Sequence, residues 1–103
     1  MRRSPSTVNQ TLALHLQGHT ADEIAAARGI DPGTIYGHFA EAIEAGLLEA
    51  HQVVALDESE TEEILAVFER LATLETGKLG PAHLALDGRY DYGVLKCLLA
   101  ELA

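Results

Sequence analysis

Cysteine is almost missing from this chain of 103 residues, with one thiol, Cys97, in an apolar run near the C-terminus. A lone cysteine excludes an intramolecular disulfide framework and a cysteine-based zinc site, and it predicts a reduced, cytoplasmic setting. Uninterrupted apolar runs are short, and Arg2-Arg3 is followed by no hydrophobic segment, so neither a membrane span nor a signal peptide is expected. Cations are scarce: Lys and Arg number 7 against 16 Asp and Glu, a formal net charge of −9. Both halves share the deficit, with three basic and six acidic residues up to His51, then four basic and ten acidic from Gln52 onward. Phosphate neutralisation supplies most of the affinity of free-standing DNA binders, so this chain lacks the basic face such proteins carry. There is no Gly-rich phosphate loop, no G-x-S-x-G, no H-E-x-x-H and no thiol nucleophile with partners, so no catalytic residue and no cofactor is expected. No low-complexity linker or fixed-period repeat divides the chain, which predicts a single domain over residues 1–103.

What is present is a helix-turn-helix pattern between Thr20 and Phe39. Thr20 and Glu23 form a capping box that opens a short helix from Ala21 to Arg28. Gly29 stops it, supplying the positive φ that a tight turn between two packed helices requires. Asp31 caps the next helix and Pro32 opens it, since proline at the first helical position loses no hydrogen bond. Ala25 is small enough to let the two helices approach, and Ile35, Phe39 and Ile43 face inward along a helix from Pro32 to Ala45 that ends at Gly46. A preceding helix from about Thr7 to Gln17, capped by Ser6, carries Val8, Leu12 and Leu16 on one face and ends at Gly18. The helix-turn-helix unit spans 6–46.

Residues 47–103 read as a C-terminal helical extension. Leu47-Leu48 and Val53 to Leu56 have the composition of a two-stranded wing, although Glu49 to Gln52 lack the Gly or Asn of a tight hairpin, leaving a short strand near 53–56 as one alternative. Ser59 and Glu62 predict a second capping box, opening a helix to about Leu74 with Ile64, Leu65, Phe68, Leu71 and Ala72 apolar. A short helix follows over Leu79 to Leu86, and Asp91 caps a last one from Tyr92 to about Leu102 that buries Val94, Leu95, Leu98, Leu99 and Leu102. The fold class is therefore all-α, with five to six helices around an N-terminal helix-turn-helix. The pair joined through Asp87-Gly88 has the layout of a second, degenerate helix-turn-helix.

Two family resemblances fall on these residues. Thr34-Ile35-Tyr36-Gly37-His38-Phe39 is similar to part of the LuxR-type recognition helix, which carries polar or basic side chains where this chain has Tyr36 and Gly37. That difference predicts weak sequence-specific readout. A longer pattern starts with the Ser6-Thr7 helix and Gly18, then Thr20-x-x-Glu23-Ile24-Ala25, Arg28-Gly29-Ile30 and Thr34-Ile35-Tyr36-Gly37-His38. It continues through Gly46 and an acidic capped helix to the closing Asp91-Tyr92 helix. This order resembles the helix-turn-helix domain at the C-terminus of bacterial RecQ-family ATP-dependent DNA helicases, over nearly the whole chain. The resemblance implies a non-catalytic accessory module of DNA repair and recombination, with DNA and the helicase core of a parent chain as its partners.

On helical geometry Gly33, Thr34, Gly37, Glu41 and Glu44 face outward from the third helix, with Tyr36 and His38 on its flanks. The candidate nucleic-acid-binding residues are Arg28, Gly33, Thr34, Tyr36, Gly37 and His38, near the positive end of the helix dipole and the amides after Asp31. The alternatives are that Tyr36 and His38 pack against neighbouring helices and that Arg28 answers the dipole of its own helix. Arg2 and Arg3 also offer charge for phosphate. His15 and His19 lie four apart, but Gly18 separates them and no thiol or carboxylate completes a set, so no metal site is expected. The rival function is a protein-interaction or regulatory helical module without DNA contact.

Overall fold

Helix α1 (Pro5–Leu16), α2 (Ala21–Arg28) and α3 (Pro32–Glu44) form the N-terminal unit. The computed structural model describes residues 5–102, and these hold seven α-helices and no strand. Arg2 and Arg3 lie outside the described residues.

The signals that open and close α2 and α3 work locally. Thr20 N–H donates to Glu23 Oε1 at 2.8 Å and Glu23 N–H to Thr20 Oγ1 at 3.2 Å, closing the capping box. These bonds, the backbone bond first, hold the Glu23 carboxyl below its usual range. Gly29 sits at φ 68°, ψ 32°, and the Ile30 N–H reaches back to the Ala25 carbonyl at 3.0 Å. Asp31 then accepts from Gly33 N–H at 2.9 Å, with Pro32 in the first turn. Ile24, Ala25, Ile35, Phe39 and Ile43 are all buried where these helices meet.

Helix α1 differs from expectation in start and face. It begins at Pro5, which places Ser6 inside the helix and not at its cap. Leu16 is 81% exposed, whereas Thr11 is fully buried and Leu14 packs on the core. The inward face is set by a polar contact that hydrophobic periodicity does not register. Thr11 Oγ1 lies 2.8 Å from His38 Nδ1 and accepts from Arg28 Nη1 at 2.5 Å. This chain of three side chains, with Thr11 and His38 buried and Arg28 half-buried, ties α1, α2 and α3 together.

The wing strand near 53–56 does not form. Ala50–Gln52 make a single 3₁₀ turn, and Val53 to Asp57 run on as loop, consistent with the absence of hairpin chemistry between the apolar pairs. Glu101 instead accepts from the Ala50 N–H at 2.7 Å, pinning this segment to the end of the last helix.

Helix α4 (Glu58–Arg70) opens two residues earlier than predicted. Asp57 and Glu60, not Ser59 and Glu62, form the box, with Asp57 N–H to Glu60 Oε1 at 3.0 Å and Glu60 N–H to Asp57 Oδ1 at 2.7 Å. Both registers satisfy the pattern, and the Thr61 hydroxyl adds a bond to the Asp57 carbonyl that supports the earlier start. The far end also differs. Ala72 adopts φ 53°, so the predicted helix to Leu74 breaks, and Thr73–Thr76 form a separate turn, α5. Helix α6 (Leu79–Ala85) and α7 (Tyr92–Leu102) complete the chain, and Leu102 is 44% exposed where burial was expected.

The most extensive helix pairing is α3 with α7. Tyr36 meets Gly93 and Cys97 near the start of both helices, while Ala50, beyond α3, meets Glu101 near the end of α7. The two helices therefore run parallel. Gly93 permits the approach: a Cβ there would stand 2.5 Å from Tyr36 Cγ and 2.8 Å from Tyr36 Cβ. Helix α4 is held to the loop before α7 by Arg89, which forks both oxygens of Glu63, while the Tyr90 hydroxyl donates to Glu63 Oε1 at 3.1 Å. The Arg89 hydrogen bond keeps the Glu63 carboxyl below its ordinary range.

Candidate nucleic-acid interface

Helix α3 is covered on two sides. One side packs on α1 and α2 through Ile35, His38, Phe39 and Ala42, and the other on α7 through Tyr36 and Ala40. Left outside are Gly33, Thr34, Glu41 and Glu44, with Gly37 half-exposed among them. With Asp31, His38 and Ala40 these line a shallow groove of about 600 Å³. The two glycines deepen it because they carry no side chain. Lys96 of α7 forms one edge, its Nζ 3.7 Å from where a Cβ of Gly37 would stand.

The candidate residues thus separate. Gly33, Thr34 and Gly37 line the open groove. His38 also borders it but is only 5% exposed, its Nδ1 engaged by Thr11. Tyr36 is half-buried on the α7 flank, with its ring edge-on to Phe39 at 6.0 Å. Burial first, and the nearby Asp22 carboxylate second, push its phenol pKa up. Arg28 is half-buried and hydrogen-bonds Thr11. Nothing in the sequence marks Lys96 as part of this groove. It is exposed on a different helix, and only the parallel packing of α3 and α7 brings it beside Gly37.

The electrostatics of the helix start are less favourable to an anion than sequence alone suggests. The amides after Asp31 are already taken: Gly33 N–H by the Asp31 carboxylate, and Thr34 N–H and Ile35 N–H by the Asp31 carbonyl at 2.9 and 3.3 Å. The Asp31 carboxylate also offsets the positive end of the dipole. Carboxylates of Asp31, Glu41 and Glu44 line the groove with Thr34 and Lys96, so its one lining lysine sits among three acids.

Neither histidine singled out for metal is arranged as a ligand pair. His15 packs edge-on to Phe39 at 5.5 Å, and His19 Nδ1 lies 3.7 Å from Glu23 Oε1. Among the described residues no three His, Cys, Asp or Glu side chains come together as a set that could hold a metal ion. None of the described helices is long and apolar enough to cross a membrane.

Two helices meeting at a glycine turn, the second with an open outer face at its N-terminal half, define a helix-turn-helix protein. The helix-turn-helix domain family matches residues 7–99, and the chain belongs to that family. No curated protein and no solved structure matches the chain. Domains of this class are typically binding modules, with nucleic acid the usual ligand and no catalysis of their own.

Proposed function

We propose that the chain is a non-catalytic, cytoplasmic nucleic-acid-binding module, built as a single domain, that touches DNA weakly through the start of α3. Gly33, Thr34 and Gly37 face the phosphates with Lys96 beside them, while Arg28, Tyr36 and His38 hold the helix from behind. The observation that carries this reading is the open groove along the first half of a recognition helix, flanked by one exposed lysine. The carboxylates of Asp31, Glu41 and Glu44 limit its strength. Lys96 together with Arg2 and Arg3 neutralises two or three phosphates, which gives a salt slope of log K of roughly −2 to −3 and a non-specific affinity of about 10⁻⁴–10⁻⁶ M.

The parent protein that fits this reading is a RecQ-like DNA helicase, with this domain as its C-terminal accessory. What supports that is the order of residues from Thr20 to His38 and on to Tyr92. Tethering to a motor raises the effective concentration on DNA, so a weak contact suffices. The second reading, a protein-interaction module without DNA contact, draws on the three carboxylates of the same groove.

Titration of a labelled duplex and a labelled single strand at low and physiological salt tests the proposal. Weak binding that Thr34→Glu and Lys96→Glu reduce, and Glu62→Gln does not, is expected. No binding even at low salt would leave the protein-interaction reading. The helicase parentage has its own check: a helicase core encoded in frame upstream of Met1 is expected, and an unrelated neighbour contradicts it.

A further inference from the structure

A second groove, sharing no residue with the one along α3, lies between α4, α5 and the end of α7. It is lined by Leu65, Phe68, Glu69, Leu74, Glu75 and Leu102 and has a volume of about 290 Å³. Phe68 is buried at its floor and Leu65 half-buried beside it. At its lips Leu74 is 50% and Leu102 44% exposed. A single exposed leucine needs no explanation, but here two leucines from different helices converge on one apolar floor. The break at Ala72 makes this arrangement, because it turns α5 out of line with α4 and places Leu74 opposite Leu65 and Phe68 across the groove.

The ionisable side chains that line this floor are of one sign. Glu69 and Glu75 are the ionisable side chains that line it, and both are exposed; Arg70, though next to Glu69 in sequence, does not line it. The chain as a whole carries −9, so the long-range field also favours cations. An apolar floor with a glutamate rim repels phosphates of nucleic acid or anionic lipid, and it complements an apolar anchor flanked by lysine or arginine. The geometry points to a docking site for a basic amphipathic helix of a partner protein, with Leu or Met anchors spaced i, i+4 entering the groove and Lys or Arg side chains meeting Glu69 and Glu75. This goes beyond the nucleic-acid reading and does not depend on it.

The test uses the full chain and two labelled synthetic helical peptides, both with leucines at i, i+4, one flanked by lysines and the other by glutamates. The lysine peptide is expected to bind at least about tenfold more tightly than the glutamate peptide, the usual scale for losing a central contact. Glu69→Lys with Glu75→Lys should invert that preference, and Leu74→Asp should weaken both peptides. All three sites are exposed, so the variants keep the wild-type melting transition, and Thr34→Glu leaves peptide binding unchanged while weakening DNA binding. The proposal is overturned by failure of the lysine peptide to bind at low salt, or by binding indifferent to the Glu69 and Glu75 changes. It is also overturned by self-association, or by adsorption to zwitterionic vesicles, that Leu74→Asp abolishes.

Discussion

Gly93 and Cys97 show how far single residues govern the approach of α7 to α3. At Gly93 any side chain collides with the Tyr36 ring root, so Gly93→Val is expected to destabilise the fold by about 1–3 kcal/mol, the scale of overpacking in a filled contact. Urea unfolding measures it; a wild-type midpoint would mean that α7 is not seated on Tyr36. Cys97, fully buried one turn further on, has its thiol pushed up to about 12 by burial. The thiol should resist iodoacetamide at mildly alkaline pH in the folded protein and react readily once denatured. Its folded pKa exceeds its unfolded value, so this contribution to stability is complete below the ordinary thiol range and fades as pH rises from there towards 12. Rapid alkylation of the native protein would contradict the burial. At this scale the sequence was readable where chemistry is local: Gly29 takes the positive φ its turn demands. It was silent on Gly93, whose role depends on a ring 57 positions away in sequence.

Helices are bounded here by side chains that satisfy end groups, and the bounds are testable. Asp57→Ala should cost about 1 kcal/mol, the usual worth of an N-cap. Ser59→Ala should stay within about 0.5 kcal/mol, as for an ordinary surface change. The reverse order in thermal or urea melts would restore the later start of α4. Asp57-x-x-Glu60 and Ser59-x-x-Glu62 both fit a capping pattern, and the Thr61 hydroxyl bond to the Asp57 carbonyl favours the earlier one. Helix α1 illustrates the opposite case, in which apolar periodicity marked Val8, Leu12 and Leu16 while a polar contact at Thr11 set the buried face. Thr11→Val removes the hydroxyl that Arg28 and His38 share, and losing a hydrogen-bond partner inside the fold costs about 1–3 kcal/mol. Loss of that size should accompany a loosened α1, read as faster amide exchange from Leu12 to Leu16. Unchanged exchange and stability would remove Thr11 from its place in the core.

Across the whole molecule, fold class and helix-turn-helix were legible because capping boxes, the Gly29 turn and the 3.6-residue period are local signals. The arrangement of α7 alongside α3 was not, because parallel packing between distant helices leaves no periodic mark. With it the sequence hid Lys96 as a neighbour of α3, the burial of His38 and the half-burial of Tyr36. Charge acts at this scale too: an excess of acid over the whole chain opposes phosphate contact, and Lys96 is the lysine that lines the groove along α3. The most direct measurement is amide chemical-shift mapping of the full chain titrated with a short duplex and a short single strand at low salt. Perturbations are expected at Gly33, Thr34, Gly37 and Lys96 that fade as salt is raised, with α4 unmoved. Shifts centred on α4 and α5, or no shifts with either DNA, would contradict DNA contact through α3.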